Sequence, residues 1–154
     1  MTGDGKGNTT TEGAFVPFEE AEHTADLALV ARGRDVRELV LNACRGTIAL
    51  IGDTQGLAAE EWVDIGASAE EPERLLVRFV KELLVAWEFH GGLPVALELD
   101  EASGEASGLR GRVGFAHPND LDERITGLPK AATYHDLEIR REGGVLEVTL
   151  VLDA

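Results

Sequence analysis

The chain has 154 residues, and 29 acidic side chains against 14 basic ones give it a formal net charge of −15 at pH 7. That length fits one domain with a real hydrophobic core, and no apolar run approaches the ~20 residues that a membrane span needs. Affinity for nucleic acid comes largely from Lys and Arg neutralising phosphates, so direct, tight RNA or DNA binding is disfavoured and an electropositive partner or a cation is the better expectation.

Residues 1–13 are rich in Gly and Thr and lack the basic-then-apolar order of a signal peptide. They are expected to form a flexible tail, leaving 14–154 as the domain. Cys44 is the lone cysteine, which rules out an internal disulfide and a cysteine zinc cluster. These features together point to the cytoplasm. A short strand is predicted at 15–20 and a second at 27–32, with Gly33 as the turn. Asp35 and Glu38 fit a capping pattern that opens a helix. Val36, Leu39, Val40, Ala43, Thr47 and Ile51 then recur along one face, and Gly52-Asp53 ends it. Residues 62–67 alternate like a half-buried strand. Ser68 and Glu71 have capping-box spacing, with Pro72 in the first turn of a second helix. Its stripe is Leu75, Leu76, Phe79, Val80, Leu83, Leu84 and Trp87, and Gly91-Gly92 ends it. Strands are expected at 95–99, 109–115, 131–140 and 145–152, with Glu142-Gly143-Gly144 turning between the last two. This order predicts an α+β fold: a largely antiparallel mixed sheet with two main helices packed on it.

Several segments carry candidate chemistry. Gly3-Asp4-Gly5-Lys6-Gly7-Asn8 has the glycines of a phosphate loop, but no strand precedes it and no helix follows. Cys44 lies mid-helix without a neighbouring base and reads as a packing residue. His90 sits where a cation meets the negative end of a helix dipole. His117 falls in a loop. Glu22-His23-Thr24-Ala25-Asp26 is more polar than a core segment. Its oxygen ligands suit a hard cation, and its imidazole a softer metal. A turn in which Asp26 and Thr24 bond local backbone is the competing reading. Asp153 follows the apolar run 148–152, and the α-carboxylate of Ala154 comes one residue later. Two carboxylates so close repel unless neutralised, which suits a cation cradle; the competing reading is a solvated terminus. Lys130, Tyr134 and His135 form a third polar cluster, fit either for acid–base or phosphate contacts or for a solvent-facing strand.

Together these segments resemble the archease family. The resemblance is carried by Phe18-Glu19, Glu22-His23-Thr24-Ala25-Asp26-Leu27, Leu75-Leu76, Glu82-Leu83-Leu84, Lys130-Ala131-Ala132-Thr133-Tyr134-His135 and Leu152-Asp153. It implies an accessory protein, not itself an enzyme, of the RtcB-type RNA ligase used in tRNA splicing and RNA repair. Such a protein assists the ligase's GTP- and metal-dependent guanylylation and its turnover. The family's metal-binding aspartates match Asp26 and Asp153, with the carboxylate of Ala154 as an extra ligand and His23 a lower-ranked neighbour. The implied cofactor is a divalent ion: calcium, magnesium or manganese. The functional lysine matches Lys130, and Tyr134 and His135 stand beside it as partner or phosphate contacts. The chain departs from the family pattern at Leu128, where a Glu is usual, with Pro129 after it, and at Leu152 and Ala154 around the penultimate aspartate.

Two other functions compete with the accessory role. A stand-alone metal-dependent phosphoester hydrolase would use the same carboxylates to hold a cation that activates water. An interaction module would bind no metal at all.

Overall fold

A computed structural model describes residues 14–21, 27–100, 108–129, 131–133 and 137–153. Its elements run β1 (Phe18–Ala21), β2 (Leu27–Gly33), α1 (Val36–Ile51), β3 (Glu61–Ser68), α2 (Pro72–His90), β4 (Leu93–Leu99), β5 (Gly108–Ala116), α3 (Leu121–Arg124), β6 (Ala131–Thr133), β7 (Arg140–Glu142) and β8 (Val145–Asp153). The class is α+β, as the order of elements predicts, and the described strands divide over two antiparallel sheets. One sheet runs β1-β2-β8-β6, with β7 also on β8; the other runs β3-β5-β4. α1 packs mainly on β2 and reaches β4, while α2 packs mainly on β3 and reaches β6. Each helix therefore ties the two sheets together around one continuous apolar core. No helix among the described residues is long and apolar enough to cross a membrane.

α1 begins where its capping residues require. Asp35 Oδ1 accepts from the Glu38 amide at 2.8 Å, and Glu38 Oε1 accepts from the Arg34 amide at 2.7 Å, satisfying donors that helix geometry leaves open. Its predicted face is buried: Leu39, Val40, Ala43, Thr47 and Ile51 are sealed from solvent. Thr47 satisfies its hydroxyl by donating to the Ala43 carbonyl at 2.8 Å. Gly46 lets this helix lie close on β2, since a Cβ there would stand 2.4 Å from Leu29 Cδ1.

α2 carries the predicted stripe, and Leu75, Leu76, Phe79, Val80 and Leu83 are fully buried. The predicted capping box does not form. Glu71 is the N-cap and makes no side-chain cap bond. Ser68 closes β3 opposite Gly108 instead, and its carbonyl accepts from Arg78 Nη1 at 2.7 Å. Strand pairing thus takes the residue that helix capping would have used. Pro72 occupies the first turn as expected, and Gly91 caps the far end.

The predicted strand over 131–140 is corrected as well. Its described parts are β6 and β7 alone, and residues 137–139 are not strand. Leu137 and Ile139 pack against the core there, and the Ile139 amide donates to Glu73 Oε2 at 3.3 Å instead of joining a ladder. The hairpin from β7 to β8 turns on Gly143 and Gly144, with φ of 60° and 79°, the left-handed pair of a type I′ turn. The one-turn helix α3 was not among the predicted elements.

Candidate functional site

β8 is the strand on which the candidate segments converge. On one side Leu152 pairs with Leu27; on the other it pairs with Ala132, and Asp153 pairs with Ala131. Adjacent strands stand about 4.8 Å apart, so backbone from three distant parts of the sequence meets within about 10 Å. Leu152 is fully buried at the centre of this junction, and the side chain of Asp153 next to it is exposed. Burial of one residue and exposure of the next follows from strand alternation.

The approach to β6 is pinned from below. At the end of α1, the Ile51 carbonyl accepts from the amides of Thr126 at 2.8 Å and Gly127 at 3.2 Å. The Asp53 amide donates to the Arg124 carbonyl at 2.9 Å, and Ile125 bridges to Gly52. Arg124 Nη1 donates to the carbonyls of Asp53 (3.1 Å) and Gln55 (2.9 Å), while its Nε donates to Asp120 Oδ1 (2.9 Å). Gly127 must be small, because a Cβ there would sit 2.6 Å from the Leu50 carbonyl oxygen. The segment is thereby delivered to Ala131, beside Asp153.

Of the residues singled out in the sequence, Asp153 is described; His23, Asp26, Lys130, Tyr134, His135 and Ala154 lie outside the described residues, as does Gly3–Asn8. Among the described residues no group of three or more His, Cys, Asp or Glu side chains is arranged to hold a metal. Asp153 offers an exposed carboxylate, which is the donor type that hard cations take.

The other candidates have local explanations. Cys44 is wholly buried, and burial pushes its thiol far up from the usual value, so it stays a neutral packing group. His90 lies in the last turn of α2 and stacks on Phe115, with ring centroids 5.8 Å apart. His117 Nε2 stands 3.1 Å from Glu61 Oε1, and its amide donates to Glu60 Oε2 at 3.0 Å.

One feature is absent from the sequence expectations. Leu84, Trp87, Glu88, Leu128 and Pro129 line a groove of about 320 Å³ between α2 and the approach to β6. Leu84 and Trp87 read as core from their spacing. Of its lining apolar residues Leu128 is exposed, and no local sequence pattern marks it; Val85 and Phe89, also exposed on α2, lie outside the lining.

The model of the Archease protein family matches residues 18–154. The protein archease of Aeropyrum pernix is 33% identical over 139 residues, which cover 86% of this chain and 93% of its own. Protein 1598 of Methanobacterium thermoautotrophicum superposes with a TM-score of 0.73 at 26% identity, covering 90% of this chain and 99% of that one. An archease of Thermotoga maritima, described as a possible chaperone, shares the fold with a TM-score of 0.63 at 23% identity, over 88% of this chain and 96% of its own. A family match across nearly the whole described domain, with a relative of this identity and coverage, shows that the chain belongs to the archease family.

Proposed function

We propose that this protein is a metal-binding accessory protein of a GTP-dependent, RtcB-type RNA ligase, promoting its guanylylation and turnover in cytoplasmic tRNA splicing or RNA repair. The observation that carries the reading is the junction on β8. Leu27, Leu152 and Ala132 share one rung, and each lies within a segment that carries the resemblance. Independent motifs with no sequence proximity thus have a structural reason to act together.

Asp26 and Asp153 would hold the ion, with the α-carboxylate of Ala154 as a further ligand and His23 a neighbour. An all-oxygen donor set favours calcium, magnesium or manganese over softer metals. Bound there, a divalent ion supplies positive charge to phosphate oxygens during the ligase's guanylylation. Lys130, with Tyr134 and His135, would contact the partner or a phosphate. The net charge of −15 suits docking on an electropositive enzyme better than docking on RNA.

The test is turnover of the purified ligase with and without the protein. Stimulation by the native chain and its loss in Asp26→Ala are expected. No stimulation, or full stimulation by that variant, would sink the proposal.

A further inference from the structure

From the clip that Arg124 makes on the way into β6, we infer that this side chain is a positioning residue for the site at the end of β8. It fixes the register of β6, so that Ala131 and not another residue stands opposite Asp153, a role that rests on the proposed function and deepens it.

β6 is too short to set that register by itself. It has three residues and sits at the end of its sheet, with β8 as its strand neighbour among the described residues. A strand's register is specified strongly by a large buried face and weakly without one. Ala131 and Ala132 offer only methyl groups, of which that of Ala132 packs against the core. A slip of two residues would keep the same face inward and move β6 about 7 Å along β8. Any contact made across the pair by an ion at Asp153 would then be out of reach.

The restraint comes from upstream. The Arg124 side chain is 21% exposed, and its guanidinium fork holds three acceptors at once: the carbonyls of Asp53 and Gln55, and Asp120 Oδ1. Those carbonyls are themselves set, because Asp53 Oδ1 accepts from the Gln55 amide at 3.0 Å. The Arg124 carbonyl accepts from the Asp53 amide in return. A Cβ at Gly52 would stand 2.7 Å from that same oxygen, so the end of α1 and this segment meet backbone to backbone. The preceding helix adds no anchor, since α3 buries none of its residues. From Gly127 to Ala131 is four residues, a reach of about 14 Å at full stretch. Little slack separates the clip from the pairing it feeds.

Two measurements on the full chain test this: backbone nuclear Overhauser cross-peaks between Ala131 and Asp153, and stimulation of the purified ligase. In Arg124→Ala the cross-peaks should vanish or move to another residue pair, while those of Val30 with Thr149 in the same sheet stay. The stimulated plateau should fall at least fivefold, with the half-saturating concentration within twofold of native. Arg124→Lys, which keeps the charge without the fork, should fall between. Val113→Ala, which empties a buried position in the other sheet, should lower the thermal midpoint at least as far and keep the plateau. Unchanged Ala131–Asp153 cross-peaks in both Arg124 variants overturn the inference. So does an unchanged plateau in Arg124→Ala, or an equal loss of plateau in Val113→Ala. If Arg124→Ala loses the cross-peaks but the native chain does not stimulate, the register role stands and the proposed function falls.

Discussion

The two sheets of this protein use their surfaces in opposite ways. The three-stranded sheet pairs β3 with β5 continuously, from Glu61 opposite Phe115 to Ser68 opposite Gly108. Its exposed side chains then bind one another. Arg112 lies 4.2 Å over the Trp62 ring and meets Glu98 at 2.9 Å, and Trp62 covers Gly114, where a Cβ would come within 3.2 Å of the indole. The five-stranded sheet has a long strand, β8, paired with β2 on one side from Leu146 to Leu152. Among the described residues its other side holds the short strands β6 and β7. At that strand's end the polar side chain of Asp153 faces solvent. One sheet satisfies its surface internally, whereas the other gathers distant segments at one end. The difference is one of surface: one sheet ties its exposed side chains to one another, and the other leaves Asp153 exposed where three segments meet.

Substitutions can break or sharpen this contrast. The largest effect is expected from Leu152→Ala, which empties a buried position at the junction. A loss of about 2–5 kcal/mol is typical of such truncations, and urea unfolding would read it. If the junction were a loosely attached edge, the loss would fall below about 1 kcal/mol. Arg124→Ala comes next, because it removes three hydrogen bonds that pin the approach to β6. About 1–2 kcal/mol is expected, with faster amide exchange at Thr126 and Gly127; unchanged exchange would show that the Ile51 carbonyl holds the segment alone. Arg112→Ala is the smallest. Its pair with Glu98 is half-exposed on both sides, so its loss should cost under about 1 kcal/mol and shrink further in salt. A larger cost would mean that the tied surface carries stability after all.

The elements most legible in the sequence were those whose signals are local. The periodicity of Val36 to Ile51 and of Leu75 to Trp87, the Asp35 cap and the Gly143-Gly144 turn all act within a few residues. What eluded pattern was decided by tertiary competition. Ser68 has the spacing of a cap, but pairing with Gly108 keeps it in β3. Ile139 alternates like a strand residue, yet its amide is taken by Glu73. α3 spans only Leu121–Arg124, too short to show a period. The candidate site was legible only as separate polar strings and through family resemblance. Nothing local to Leu27, Ala132 or Leu152 says that they share a rung.

That shared rung also orders the folding of the chain. Arg32 and Glu147, joined at 2.8 Å across the β2–β8 pairing, are 115 residues apart in sequence. Closing so long a loop costs roughly 4 kcal/mol of chain entropy before any contact in it returns a gain. Pairings within residues 61–116 close over shorter spans and are favoured earlier. The end of β8 is therefore a late-closing clasp: a chain that has built only its three-stranded sheet has not yet assembled the place where Asp153 meets the strand of Leu27. Any partner that recognises that place distinguishes finished molecules from unfinished ones.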